Sequence, residues 1–150
     1  MEAQATFDVV QTNSPQETKK IAANFAKTLK GGDMVALYGD LGAGKTIFVQ
    51  GAAKELGIRQ RVLSPTFVFI RSYPLKLKNK QITLNHVDLY RGEGQEDYTA
   101  LGLGEVFGED SITFVEWAEK VKQILPKRRI DVILEVVDEK TRRIKIDRRG

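Results

Sequence analysis

The residues best equipped for chemistry lie close together, in Gly39-Asp40-Leu41-Gly42-Ala43-Gly44-Lys45-Thr46. The stretch matches Gly-x4-Gly-Lys-Ser/Thr in full, and the physics asks for each part. Glycines let the backbone curl tightly and turn its N–H groups inward, which makes a nest for anions. A helix starting at Lys45 adds its positive end. The lysine then reaches the β- and γ-phosphates of a nucleotide, and the Thr46 hydroxyl ligates Mg²⁺. Asp40 fits this loop least well. An acid aimed at a triphosphate repels it, so its side chain is expected to point outward.

A phosphate loop binds a nucleotide, and a magnesium site needs a further acid, commonly at the end of an apolar strand. Two acids qualify. Asp88 ends "ITLNHV" and Glu116 ends "SITFV". The second strand has the composition of a buried neighbour for the loop strand. "ITLNHV" alternates apolar with polar, as a strand with one wet face does. Thr66, in "SPTF" at 64–67, reads either as a switch threonine that meets metal and γ-phosphate or as a turn threonine. His86, the single histidine, reads as a hydrogen-bonded structural residue before it reads as a base. Arg91 is a surface arginine or a charge supplied to the transition state. Trp117 is open to three readings: core packing, adenine stacking or a partner contact.

These residues need elements to hold them. "MVALY", 34–38, is apolar throughout and suits a buried strand leading into the loop. A helix follows from Lys45 through Ile47, Phe48, Ala52 and Leu56, stopped at Gly57. An earlier helix opens at Ser14-Pro15-Gln16-Glu17, with Ser14 as cap, Pro15 at the first position and Glu17 closing a capping box. Ile21, Ala22, Phe25 and Leu29 give it one apolar face, and Gly31-Gly32 is its expected end. "PTFVFIRSY" and "QITLNHVDLY" read as extended, with a basic loop from Pro74 to Lys80 between them. Residues 92–110 are acidic and broken by glycines, with short helical pieces such as "EDYTALGL". "EWAEKVKQIL" reads as a helix stopped by Pro126. "RIDVILEVV" and "RRIKIDR" form a hairpin around residues 138–141.

The chain has 150 residues, with 41% hydrophobic and 29% charged, which fits one globular domain with a real core. No apolar run approaches the roughly 20 residues of a membrane-spanning helix. The N-terminus lacks a basic region before its apolar residues, so no secretory leader is expected. The absence of cysteine excludes disulfides and thiolate metal sites, and suits a cytoplasmic protein. Net charge is +4, and residues 127–150 carry all of the excess, nine Lys/Arg against five Asp/Glu. Such an end suits a solvated hairpin face, an acidic protein or RNA.

Taken together, "YGDLGAGKT", "SPTF", "HVDLYR" and "VEWAEK", in that order and spacing, resemble one family, the bacterial tRNA threonylcarbamoyladenosine biosynthesis ATPases (TsaE-like). The resemblance covers nearly the whole chain. It implies a P-loop NTPase-like α/β fold in three layers, with a mixed, largely parallel sheet flanked by helices. It implies ATP/ADP binding and Mg²⁺-dependent hydrolysis that is weak without partners. Those partners are the two paralogous subunits of the tRNA threonylcarbamoyl-transfer complex; the charge of the basic C-terminal strands, not the resemblance, makes tRNA a candidate contact beside them. The phosphate cradle runs from Leu41 through Gly42, Ala43, Gly44, Lys45 and Thr46 to Ile47. Thr46 and Glu116 ligate the metal, Asp88 supports the metal or its water, and Thr66 belongs to the switch. The adenine side draws on Gln16 and on a late basic residue, Arg142 or Arg143.

Other classes share the loop. A small-molecule kinase usually closes an arginine-rich lid over the phosphates, and residues 92–110 contain no arginine. A GTPase carries Asn/Thr-Lys-x-Asp, and here Asn79-Lys80 is followed by Gln81-Ile82. A scaffold that binds nucleotide without turnover has the same loop, with Asp88 and Glu116 too distant to serve a metal.

Overall fold

The computed structural model describes residues 7–63, 70–89 and 108–149. Seven strands make one sheet: β1 (Phe7–Thr12), β2 (Met34–Tyr38), β3 (Ile70–Leu77), β4 (Lys80–Asp88), β5 (Ser111–Glu116), β6 (Arg129–Val136) and β7 (Arg142–Arg149). Their order is β1-β7-β6-β2-β5-β4-β3. The sheet is mixed in a regular way. Its four middle strands, β6, β2, β5 and β4, run parallel, and β3 pairs antiparallel with β4 at one side. At the other, β7 pairs antiparallel with β6 and β1 with β7, so β1 runs in the direction of the middle strands. β2 and β5, at the centre, are buried along almost their whole length, as strands covered on both faces are. "SITFV" is indeed the direct neighbour of the loop strand, with Val35 opposite Phe114 and Leu37 opposite Glu116.

Helices α1 (Pro15–Ala26) and α2 (Lys45–Glu55) pack on each other and cover one face, over Val35, Leu37, Leu84, Ile112 and Phe114. A 3₁₀ segment, Ala118–Ile124, covers the other, over Met34, Ala36, Val87 and Val115. The described residues therefore form three layers. Gly51 lets the helices approach closely: a Cβ there would stand 2.5 Å from the Lys19 carbonyl oxygen. The N-terminus of α1 is held by its sequence signal. The Glu17 N–H donates to Ser14 Oγ at 3.1 Å, and Glu17 Oε1 accepts from the Asn13 N–H at 2.7 Å, one residue before the cap.

Several elements differ from the sequence reading. α1 stops at Ala26 and not at Gly31-Gly32. Thr28 Oγ1 donates to the Phe25 carbonyl at 2.7 Å and its N–H to the same oxygen at 3.0 Å, so the chain turns there. Leu29 nonetheless reaches the core. β3 and β4 form a hairpin, but the turn is only Lys78-Asn79, both at positive φ (52° and 68°), the geometry that matches strand twist. Pro74 lies inside β3, opposite Thr83. As the outer strand, β3 tolerates its missing donor. β4 has no wet face near its end, since Asn85, His86, Val87 and Asp88 are all buried between the two layers. The helix read at "EWAEKVKQIL" begins only at Ala118, is of 3₁₀ type, and breaks at Val121; Trp117 before it is left-handed, at φ 60°. β1 carries too few buried residues to show a period, and its place is set by pairing with β7.

Candidate functional site

Strand alternation builds the site. On β4 and β5 the even-numbered side chains face α2: Ile82 and Leu84 lead to His86 and Asp88, and Ile112 and Phe114 lead to Glu116. Asp88 and Glu116 are register partners at the carboxyl ends of adjacent parallel strands. β2 ends beside them and enters the glycine loop. Gly39, Gly42 and Gly44 all take positive φ (153°, 84° and 105°). Gly39 also has no room for a side chain, because a Cβ would lie 2.7 Å from the Leu134 carbonyl oxygen. α2 starts at Lys45, so its first N–H groups open into the loop.

Lys45 is 5% exposed. Its ammonium donates to the carbonyls of Gly39 and, at 3.3 Å, Asp40, and it lies 3.6 Å from the centre of the Trp117 ring. Burial pulls its pKa below the ordinary lysine value, while Glu116, Glu119, Asp88 and Asp40 oppose that shift. Trp117 thus packs partly in the core and presents its face to the loop lysine. Asp40 is exposed, as its charge requires. Leu41 is 71% exposed and Ala43 is buried, with Ile47 half-buried.

Thr46 Oγ1 donates to Glu116, 2.8 Å from Oε2 and 3.0 Å from Oε1. His86, fully buried, meets Oε2 of the same carboxylate through Nε2 at 2.6 Å. Its Nδ1 is buried and has no hydrogen-bond partner among the described residues. A carboxylate oxygen can only accept, so Nε2 is the donor in the hydrogen bond to Glu116. Glu116 is gripped from two sides, by the first turn of α2 and by β4. Asp88 stands beside it and acts on the charge of Lys45. Thr66, Arg91 and the helical pieces of 92–107 lie outside the described residues.

At the rim, Arg142 Nη2 donates to the Gly42 carbonyl at 3.1 Å, and its Nη1 to the Asp138 carbonyl at 2.9 Å. Arg143 instead faces Glu135 at 3.5 Å and lines a shallow hollow with Gly39, Asp40 and Val136. Of the two arginines, Arg142 hydrogen-bonds the loop. Thr12 is the register partner of Arg142, and Thr141 Oγ1 reaches Asn13 Oδ1 at 3.3 Å, so the start of α1 adjoins this rim. Gln16 is exposed on that first turn. Sequence reasoning missed two contacts, Lys45 on Trp117 and His86 on Glu116. The i,i+2 spacing of His86 and Asp88 was the one signal for the second, because it puts both on the face that Glu116 shares.

Strand, glycine loop and helix in this order, with acids at the ends of neighbouring parallel strands, define a P-loop type α/β protein. The family model for "Threonylcarbamoyl adenosine biosynthesis protein TsaE" matches residues 12–144, and the chain belongs to that family. It is 40% identical over 134 residues to the tRNA threonylcarbamoyladenosine biosynthesis protein TsaE of Bacillus subtilis, covering 89% of this chain and 81% of that protein. It is likewise 40% identical over 131 residues to the TsaE of Rickettsia bellii, covering 87% and 88%. The crystal structure of YdiB from Bacillus subtilis superposes with a TM-score of 0.76 at 32% identity, over 99% of this chain and 90% of that one.

Proposed function

We propose that this protein is a Mg²⁺-dependent ATPase that serves the formation of threonylcarbamoyladenosine in tRNA. The contact of Thr46 with Glu116 carries the reading, since it joins the hydroxyl of the loop to a strand-end carboxylate at 2.8 Å. The donors suit magnesium, a hard cation that takes oxygen ligands and keeps several waters and phosphate oxygens. Among the described residues there is no cluster of three His, Cys, Asp or Glu side chains that would hold a metal alone. Thr46 and Glu116 would hold the ion, with Asp88 beside them. When bound, it would neutralise charge on the phosphates and fix their geometry.

The chain's own groups do the rest. The loop N–H groups and the start of α2 bind the phosphates. Lys45 exchanges the carbonyls of Gly39 and Asp40 for phosphate oxygens, a stronger charge-assisted pairing. His86 keeps the Glu116 carboxylate turned toward Thr46. Arg142, with Gln16 on the neighbouring helix start, borders the adenine side. Thr66 completes the site as the residue that senses the γ-phosphate. The missing guanine motif favours ATP, and the lack of arginine in 92–110 argues against a kinase lid.

ATP binding then acts as a switch on the two paralogous subunits of the threonylcarbamoyl-transfer complex. Moving such a complex from mostly one state to mostly the other takes about 10⁴-fold discrimination, or about 5.5 kcal/mol. Contacts of one γ-phosphate with Lys45, Thr66 and Mg²⁺ are a source for it. Steady-state ATP hydrolysis tests the reading: low turnover alone and a clear rise with those subunits are expected. Phosphate transfer to a nucleoside faster than hydrolysis would overturn it in favour of a kinase.

A further inference from the structure

The charge excess of the C-terminal hairpin does not all go to the nucleotide end. β6 and β7 are antiparallel, so the hairpin divides its arginines. Arg142 and Arg143 lie at the loop end of the sheet. Arg128, Arg129, Arg148 and Arg149 lie at the other, where β6 begins and β7 ends. There they meet the Lys78-Asn79 turn of the outer hairpin and Lys30 after α1, around a cleft of about 1190 Å³. Among the described residues, seven Lys/Arg and two Asp/Glu line it.

Part of this charge is spent within the fold. Arg129 and Arg149 hold the buried Asp131, at 2.8 and 3.2 Å, Lys80 pairs with Asp110, and Lys30 pairs with Asp33. Lys78 and Arg128 are exposed and make no ion pair with any described residue. Arg148 gives one Nη to the Thr28 hydroxyl and lies 5.5 Å from the Phe25 ring, with no carboxylate partner among the described residues. These three come from separate elements and converge on one concavity. The cleft is far larger than one phosphate needs. Among the described residues no Phe, Tyr or Trp lines it, so these offer no platform for stacked bases.

We infer that this cleft is a second anion site, which binds the phosphodiester backbone of RNA at the end of the sheet opposite the ATP loop. A concave surface whose described lining is cationic and carries no aromatic ring positions a backbone and does not read sequence. β2 separates the sites by five residues, about 16 Å of strand, so nucleotide and RNA are held at once. The choice of RNA over an acidic protein rests on the proposed role in tRNA modification; the cleft and its charge do not.

The test is titration of an unmodified tRNA transcript against the full chain at several salt concentrations, without nucleotide and with Mg·ATP. Lys78→Asn with Arg128→Glu is the main variant; asparagine suits the left-handed turn, and neither residue belongs to the ATP site. Parent binding should weaken steeply with salt, and the double variant should lose tenfold or more in affinity. Its salt slope should fall by about one and a half, given roughly 0.7 to 0.9 per lost phosphate contact. Arg148→Gln should add a smaller loss. Mg·ATP should leave RNA affinity within twofold, and basal hydrolysis by the double variant should match the parent. Unchanged affinity in the variant, or displacement of RNA by ATP, would overturn the inference. Polyglutamate binding the parent as tightly as tRNA, and weakened equally in the variant, would overturn the assignment to RNA. An absence of ATPase activity would sink the proposed function while leaving these titrations readable.

Discussion

The two ends of the sheet hold charge in opposite ways. At the loop end, carboxylates and a lysine are buried and interlocked: Glu116 takes hydrogen bonds from Thr46 and His86, and Lys45 is 5% exposed. At the opposite end, cations are mostly exposed, and Lys78 and Arg128 are not tied to described acids. Buried groups interact strongly and in fixed geometry, which suits stabilising charge that develops in a reaction. Exposed cations interact weakly one by one and adapt, which suits an extended polyanion held by many contacts. On the proposed reading, one fold offers a precise anion site and a diffuse one.

Substitutions that affect one end and spare the other sharpen this contrast. The largest effect is expected from Lys45→Ala, which should remove tight ATP binding, at least a hundredfold by calorimetry, while RNA affinity stays unchanged. Loss of both would mean that the ends are not separate. Glu116→Ala should follow, with hydrolysis down by about 10² to 10³-fold, as for a lost transition-state contact, and ADP affinity changed only a few-fold. Normal turnover in Glu116→Ala together with a dead Asp88→Ala would reverse the ranking of the two acids. The cleft double variant comes next, at tenfold or more in RNA affinity alone.

The smallest effect concerns the turn that carries Arg142. Hydrogen bonds from the Lys140 N–H and from Thr141 hold the Asp138 carboxyl below its usual range. A carboxyl lowered on folding stabilises the fold above its unfolded pKa, and that help is lost as pH falls through the folded value. Thermal melts of Asp138→Ala should therefore lie slightly below the parent near neutrality and converge with it in acid. A constant difference down to the lowest pH would contradict this linkage.

Much of the loop end was legible in the sequence because it is local. Eight consecutive residues specify the loop, and the apolar run before it and the cap-and-stop signals around it frame the strand and helix. The pairing of "SITFV" with the loop strand followed from composition alone. What escaped was set by tertiary contact. The buried end of β4 read as half wet because its polar residues, Asn85 and His86, meet partners on neighbouring strands: Asn85 at Ser72 and His86 at Glu116. The early stop of α1 coincides with a Thr28 hydroxyl bond, and the left-handed Trp117 packs against the core beneath the 3₁₀ segment. The basic cleft was visible only as two separate signs, the basic loop at 74–80 and the charge excess in 127–150, because strand pairing decides which cations meet and which arginines go to which end.

A crystal structure with Mg²⁺ and a non-hydrolysable ATP analogue tests the central claim most directly. The metal is expected between Thr46 Oγ1 and the Glu116 carboxylate, with Lys45 on the phosphates and no longer on the Gly39 carbonyl. A metal held without Thr46 and Glu116, or triphosphate bound away from the glycine loop, would contradict it.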